Sequence, residues 1–390
     1  MKLFKSLLIA PAALGLLAPM SATANELNMT DVSDYSSSKE VRSISEFNSK
    51  QLAITNGRVD GLEARMNNYE AGSFSSTTTA TFSVDMAIGA VDGGTSTTDD
   101  AFNAGYGFQI DLNTSFTGED SLDVSIDAGT ASAVGYAEFD LNDASETLTV
   151  DGVSYTFPLY GATVLVGNKV DGSALFDYAC RYDTPSDTMN DCGAPNSAFE
   201  GDRTTLAASY DFENGWYAAF GYAGEGTGSD GLLTAEGEDM YGVNVSYTGD
   251  NFGASVSYAS LEDAQTIKSD EYQYADTHLA LNAYFQPEGF PTISAGYEWG
   301  HEGHAADATD ELTSYFVGLQ FDEVGPGTLG FAFGTKAATT EGSDDLMMYE
   351  AFYSYDVNDG MTVTPLIFVK EFASGTDDET GLMVKTSFSF

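Results

Sequence analysis

The residues best suited to catalysis are few, and the histidines come first among them. The chain has three, His278, His301 and His304. The last two belong to the segment HEGH, whereas a zinc-binding helix needs the spacing HExxH to bring both rings to one metal. The segment also falls in a predicted loop, and no serine beside His278 is marked as a nucleophile. The sequence therefore predicts no enzyme and no well-defined metal site.

Acidic residues are the second feature, and they are unevenly distributed. The chain has 60 acidic and 14 basic residues, a formal net charge of -46. A charge of this size repels phosphate backbones, so nucleic acid is excluded as a partner. Residues 1–72 contain 8 acids and 7 bases, whereas the remainder contains 52 acids and 7 bases. The negative charge therefore belongs to the second segment.

The longest connection in that segment, Val170 to Asp202, is strongly acidic and contains both cysteines. A disulfide between Cys180 and Cys192 would close a short loop and contribute about 3 kcal/mol. The connection is either an acidic loop held rigid by this disulfide or a solvated surface loop. Its acidic residues, set against the single base Arg181, are Asp171, Asp177, Asp183, Asp187, Asp191, Glu200 and Asp202.

The N-terminus has the pattern of a secretory signal peptide. Lys2 and Lys5 precede an apolar stretch, Leu7 to Met20, and Ser21 to Ala24 supply an A-x-A cleavage site. We therefore expect residues 1–24 to be removed. Export also takes the two cysteines to a compartment where a disulfide forms.

A short helix is predicted between the signal peptide and the acidic segment. Residues 25–38 are rich in Ser, Asp and Asn and are expected to form a flexible tail. Residues 39–72 lack proline and carry apolar residues at heptad spacing. This helix is either an oligomerisation stalk or plug, with a trimer seam, or an amphipathic helix packed on its own domain. The seam residues are Leu52, Val59, Leu62 and Met66.

From Gly72 onward the pattern changes to alternating apolar and polar residues. Segments of about ten residues are separated by turns rich in Gly, Asp and Asn, as in the hairpin from Phe108 to Asp127. We count sixteen strands, with 14 or 18 as the alternatives. Turns of two to five residues alternate with longer acidic loops, which is typical of strands that run up and down through a membrane.

The alternation also predicts which face meets lipid. Sixteen strands enclose a lumen too wide for side chains to fill. The apolar face must then point outward, which leaves a polar, wet interior, and closure removes the strand edges that a bilayer cannot satisfy. Aromatic residues beside the short turns, such as Trp216 and Phe252, suit an interfacial girdle. The sequence predicts an all-β transmembrane antiparallel barrel over residues 73–390.

The last strand adds a targeting feature. Phe388 and Phe390 end an alternating strand on one face. A terminal aromatic in this position resembles the C-terminal signal of bacterial outer-membrane barrels, which implies recognition by the barrel-assembly machinery.

Several segments resemble the porins of the cyanobacterial outer membrane, which are related to carbohydrate-selective porins. They are Leu52 to Gly94, LNTSFTGEDSLDVSIDAG (Leu112 to Gly129), PTISAGYEWG (Pro291 to Gly300), YFVGLQF (Tyr315 to Phe321), VTPLIFV (Val363 to Val369) and VKTSFSF (Val384 to Phe390). The resemblance implies a homotrimer, with its coiled coil in the periplasm, that passes ions and small hydrophilic solutes across the outer membrane of a Gram-negative-type bacterium. Such porins usually carry a surface-layer-homology domain, which only residues 25–38 could replace, so cell-wall binding is doubtful.

Selectivity is expected to depend on the acidic loop and on a few bases. If the loop folds into the barrel, its acids form a constriction; otherwise they stay in solvent. Strand parity places four bases toward the lumen, and the acidic majority then predicts a preference for cations. These bases are Lys169, Arg203, Lys336 and Lys385.

Other functions and ligands stay open at this point. The channel could select carbohydrates, or the barrel could serve mainly as a surface adhesin or receptor. Acid-rich segments such as Gly342 to Asp345 could hold divalent cations loosely and bridge to lipopolysaccharide, although none has the spacing of an ordered calcium loop. No cofactor is expected.

Overall fold

A computed structural model represents the protein and describes most of the chain from Thr78 onward. The described residues are 78–94, 101–130, 138, 141, 146–199, 201, 203–226, 231–234, 237–262, 276–301, 311–340 and 343–390. The predicted signal peptide (1–24), tail (25–38) and coiled coil (39–72), with Leu52, Val59, Leu62 and Met66, lie outside them. Among the described residues, no helix is long and apolar enough to cross a membrane.

Strands dominate the described residues. The described residues contain one short helix, α1 (Asp187–Asn190). The strands are β1 (Thr78–Asp92), β2 (Asn103–Thr114), β3 (Ser121–Gly129), β4 (Thr149–Leu159), β5 (Ala162–Asn168), β6 (Thr204–Asp211), β7 (Trp216–Gly224), β8 (Asp239–Thr248), β9 (Phe252–Leu261), β10 (Asp276–Phe285), β11 (Thr292–His301), β12 (Glu311–Val324), β13 (Gly327–Thr335), β14 (Thr339–Thr340), β15 (Met347–Asn358), β16 (Met361–Lys370) and β17 (Glu379–Ser389).

These strands form one closed antiparallel barrel. Each long strand pairs with its neighbours in sequence, and β1 pairs with β17 from Ser83↔Ser389 to Asp92↔Thr380. β14 adds only two residues beside β12, while β13 pairs directly with β15. Sixteen strands therefore form the wall, which confirms the predicted fold class and the preferred strand count.

The short and long connections alternate as predicted. Tyr160–Gly161, residues 325–326 and residues 359–360 are two-residue turns, and the longest turns at this end, 115–120 and 286–291, have six residues. The first of these turns is longer than the predicted maximum of five residues because β2 stops pairing at Thr114. The six residues that follow are held in a turn by the side chain of Asp120. Its carboxylate accepts bonds from the backbone N–H groups of Phe116 and Thr117 at 2.9 and 2.7 Å.

Alternation along each strand sorts side chains between the two faces of the wall. In β8, Val243 and Val245 are 46% and 43% exposed, while Asn244 and Ser246, which alternate with them, are each 1% exposed. An aliphatic side chain left in water forgoes about 1.5–3 kcal/mol relative to burial. The outer face therefore requires an apolar surrounding, which a bilayer provides.

Candidate functional site: the barrel interior

The connection between β5 and β6, residues 169–203, folds inward; we call it the inner loop. Its backbone N–H groups at Asp177, Ala179, Arg181 and Asp183 donate to side chains of the wall at 2.8–3.0 Å. The acceptors are Asn244 on β8, Ser255 on β9, Ser294 on β11 and Gln320 on β12. Because every second N–H meets another strand, this extended segment crosses the inner face of the wall.

Two buried glutamates of the wall bind the inner loop further along. Glu350 on β15 accepts hydrogen bonds from Tyr182 at 2.9 Å, from Thr184 at 2.6 Å and from Ser186. Glu298 on β11 is 1% exposed. Its carboxylate accepts hydrogen bonds from the backbone N–H and the side-chain amide of Asn196. It also accepts from the backbone N–H and the hydroxyl of Ser197, and the four distances are 2.6–3.3 Å. Such bonds satisfy buried carboxylates that would otherwise be costly.

Glycines in the wall allow the loop backbone to approach this closely. A Cβ at Gly296 on β11 would lie 1.8 Å from the carbonyl oxygen of Cys192, and a Cβ at Gly221 on β7 would lie 1.9 Å from that of Gly172. Neither distance is possible for real atoms, so the loop rests on sites that lack a side chain. The predicted disulfide between Cys180 and Cys192 is present and joins two parts of the loop.

The interior is not polar throughout, in contrast to the expectation. Phe316, Phe352 and Phe368 point inward from β12, β15 and β16 and are 1–2% exposed. Tyr182 of the inner loop packs on Phe316 and Phe352, with ring centroids 5.4 and 5.6 Å apart. Met189 of α1 joins the same apolar cluster. The inner face can be apolar here because the loop excludes water from it.

Burial divides the inner face of the wall into two sectors. From β6 to β16 the central inward side chains are buried, and we call this the covered sector; Ala207, Ser257 and Ala280 are each 0% exposed. The inner faces of β17 and β1–β5 form the open sector, although Ala87, Val91 and Met383, toward the long loops, are buried. Many of its inward side chains keep contact with solvent, among them Asp85, Asp111, Asn113, Asp123, Ser125, Ser154 and Lys385.

A cavity of about 300 Å³ connects the open sector with the beginning of the inner loop. It is lined by Asp123 and Ser125 of β3, by Asp151 and Ser154 of β4, and by Lys169, Asp171 and neighbouring residues. Carboxylates and hydroxyls dominate this lining, and one ammonium group is present. The space suits water, ions and hydrophilic solutes rather than an apolar ligand.

The predicted acidic residues of the loop differ in their surroundings. Asp171 accepts from the N–H of Gly201 at 2.8 Å, and Asp183 accepts from the amide of Gln320 at 3.4 Å. Asp177 accepts from Ser246, and Asp187 begins α1. Burial, with the charges of Asp187 and Glu298 adding to it, raises the pKa of Asp191 to about 6. Glu200 and Asp202 lie outside the described residues.

Of the four predicted lumen bases, only Lys385 lies within a strand. It faces inward between Ala87 of β1 and Thr364 of β16. Arg203 contacts Glu238, and Glu225 at 3.7 Å. Lys169 lines the cavity.

The fourth predicted base, Lys336, lies just past the end of β13, with its ammonium 3.5 Å from the ring centroid of Phe372. Burial, together with the nearby charge of Lys370, lowers the pKa of Lys336.

Sequence reasoning missed the residues that position the inner loop. Glu298 and Glu350 resemble any polar lumen residue, since their partners lie more than 100 positions away in sequence. It also missed an ion pair between Glu138, in the connection after β3, and Lys370 at the end of β16. The apolar inner faces of β12, β15 and β16 were an available signal. In the described part of the chain, no cluster of His, Cys, Asp and Glu is arranged to hold a metal ion.

Comparisons with known proteins agree with this architecture. No family model matches the sequence. An uncharacterised protein of Nostoc sp., alr4550, is 24% identical over 94% of this chain and 75% of its own length. A loop-deletion mutant of OmpT, an outer membrane protein of Vibrio cholerae, superposes with a TM-score of 0.56 at 9% identity, over 80% of this chain and 99% of its own. An anion-selective porin from Comamonas acidovorans gives 0.55 at 14% identity, over 80% and 99%. The chain therefore has the barrel fold of the porins.

Proposed function

We propose that the protein is a porin: a water-filled channel for passive diffusion of ions and small hydrophilic solutes that favours cations. The observation that carries the proposal is a closed barrel with an apolar outer face and an open sector inside. An enzyme would need a reactive cluster, whereas this interior offers hydrogen-bonding and charged groups spread along a wall. The inner loop would act as the constriction, because it occupies one side of the lumen.

The proposed location is the outer membrane of a Gram-negative-type bacterium. The porin fold and the Nostoc relative support membership of the cyanobacterial porin family. On this proposal the barrel contacts lipid and lipopolysaccharide, assembles as a homotrimer through the seam of residues 39–72 in the periplasm, and presents Phe388 and Phe390 to the assembly machinery. The positive charges of the lumen would come from four bases, which would oppose the charges of the acidic residues: Lys169, Arg203, Lys336 and Lys385.

Planar-bilayer recording of the refolded protein tests the proposal. We expect discrete conductance steps and, under a potassium chloride gradient, a reversal potential of the sign produced by cation preference. Matched recordings with heat-unfolded protein control for contaminants. An absence of conductance steps would favour the adhesin or receptor alternative, and block of ion current by sugars would favour a carbohydrate channel.

A further inference from the structure

We infer that the solute path runs off-centre along the open sector, and that wall aspartates, chiefly Asp111 and Asp123, set its charge selectivity rather than the loop acids Asp177, Asp183 and Asp191. This inference rests on the proposed channel function and assigns its selectivity to particular residues. It concerns the inner faces of β17 and β1–β5 and the adjoining cavity.

The first step is that the other side of the lumen is filled. The inner loop crosses β8, β9, β11 and β12 through four backbone hydrogen bonds. Tyr182, within that crossing, and Met189, beyond it, pack into the apolar cluster with Phe316 and Phe352. Close packing of this kind leaves little room for a hydrated ion. The covered sector therefore forms a side of the barrel through which solutes do not pass.

The second step is that the open sector keeps its contact with water. Inward residues toward the short-turn ends of β1, β2 and β3, such as Asp85, Asp111 and Ser125, are partly exposed, whereas Ala87 and Val91 further along β1 are buried. The cavity extends this accessible surface past Asp151 to Lys169 and Asp171. A continuous hydrophilic surface therefore follows β3 and β4 toward the root of the inner loop.

The third step is the state of the charges. Asp111 accepts from Gln109 and Ser125 at 2.7 Å, and Asp123 accepts from Asn113 and Ser121 at 2.6 Å. Amide and hydroxyl donors orient a carboxylate without cancelling its charge. Because Asp111 and Asp123 lie on neighbouring strands of the accessible wall, their fields add in the water beside them.

The acids of the inner loop beyond Asp171 contribute less to this field. Asp177 and Asp183 accept hydrogen bonds from Ser246 and Gln320 of the covered sector, and although Asp183 is exposed, both belong to the part of the loop that crosses β8 to β12. Asp191 is largely buried beside Asp187 and Glu298, and its pKa, raised to about 6 by this burial, means that it begins to lose its charge just below neutral pH. The loop narrows the channel, and the open sector supplies the charge that a passing ion experiences.

Bilayer recordings of two matched double variants test the inference. In Asp111→Asn with Asp123→Asn, we expect the ratio of cation to anion permeability to fall about fivefold in 0.1 M salt, for two charges about 8 Å from the ion path. The control, Asp177→Asn with Asp183→Asn, removes the same charge from the loop and is expected to change the ratio less than twofold.

Each outcome of the recordings is decisive. Conductance with an unchanged ratio in the wall variant, or an equal fall in both variants, overturns the inference while the channel stands. If neither the wild type nor the variants conduct, the channel proposal fails and the inference falls with it.

A labelling experiment checks the path without a conductance measurement. A cysteine introduced by Ser125→Cys in the open sector should react with a water-soluble maleimide in the refolded barrel. One introduced by Ser257→Cys, which replaces a side chain with no exposure, should react at least tenfold more slowly. Equal labelling rates would contradict the off-centre path.

Discussion

Replacing Glu350 by alanine tests how firmly the inner loop is held against the wall. Three hydroxyl groups of the loop, those of Tyr182, Thr184 and Ser186, donate to this buried carboxylate. A hydrogen bond to a charged group contributes about 1.5–3 kcal/mol, and the desolvation of the carboxylate offsets several kcal/mol. Truncation also leaves a cavity under the loop. We expect a net loss of about 3 kcal/mol, which raises the detached fraction of the loop roughly 100-fold.

Trypsin provides the assay, because Arg181 is the sole lysine or arginine between Val170 and Asp202. Its backbone N–H donates to Ser294 on β11 at 2.9 Å, and its guanidinium lies over the ring of Tyr284, 4.9 Å from the centroid, so cleavage requires the loop to leave the wall. Cleavage of the refolded barrel after Arg181, followed on reducing gels, should be about 100-fold faster in Glu350→Ala than in the wild type when loop opening is rapid. Glu350→Gln keeps the size and shape of the side chain and should increase the rate of cleavage after Arg181 by a smaller factor.

The control is Glu288→Ala, which removes an exposed carboxylate in the turn after β10. It should leave the cleavage rate unchanged. Equal cleavage of Glu350→Ala and the wild type would refute the argument that this glutamate anchors the loop.

Two further predictions concern the contact between loop and wall. The pKa of Asp191 is about 6 in the folded state and ~3.9 in an unfolded chain, so its ionised form costs stability above pH 6. Lowering the pH from 7.5 to 5 should therefore stabilise the barrel by about 1.4 kcal/mol, and thermal unfolding of Asp191→Asn should show a smaller rise. In Gly296→Ala the added Cβ collides with the carbonyl of Cys192. Faster cleavage after Arg181 is expected, with overpacking costing about 1–3 kcal/mol, while Ala295→Val on the outer face should match the wild type.

The barrel was predictable because its signal repeats. Strands such as β8 alternate with a period of two, and each short turn is marked by Gly, Asp or Asn, so sixteen weak signals support one another. The disulfide was also predictable, since Cys180 and Cys192 are the chain's two cysteines. Strand ends were less certain: Lys169, Arg203 and Lys336 lie just beyond the ends of β5, β6 and β13.

The course of the inner loop was not predictable from its own residues. Its acidity suits a solvated loop equally well, and its contacts with the wall are mostly backbone N–H groups, which every sequence possesses. The deciding information lies in the wall, where Gly296 removes a side chain and Phe316 and Phe352 occupy inward positions. A strand apolar on both faces needs a cover on each side, and within a wide barrel the longest connection can supply one.

Position relative to water, rather than net charge, decides what an acidic residue does in this barrel. Glu298 and Glu350 are buried and accept several hydrogen bonds from the loop, and these bonds hold the loop against the wall. Asp111 and Asp123 contribute the same formal charge, yet they lie beside accessible space where a passing cation can respond to it. Screening limits each such charge to about 10 Å at 0.1 M salt, so carboxylates on the far side of the loop act on permeation weakly. A total of -46 therefore predicts selectivity only after the carboxylates along the open sector are separated from the others.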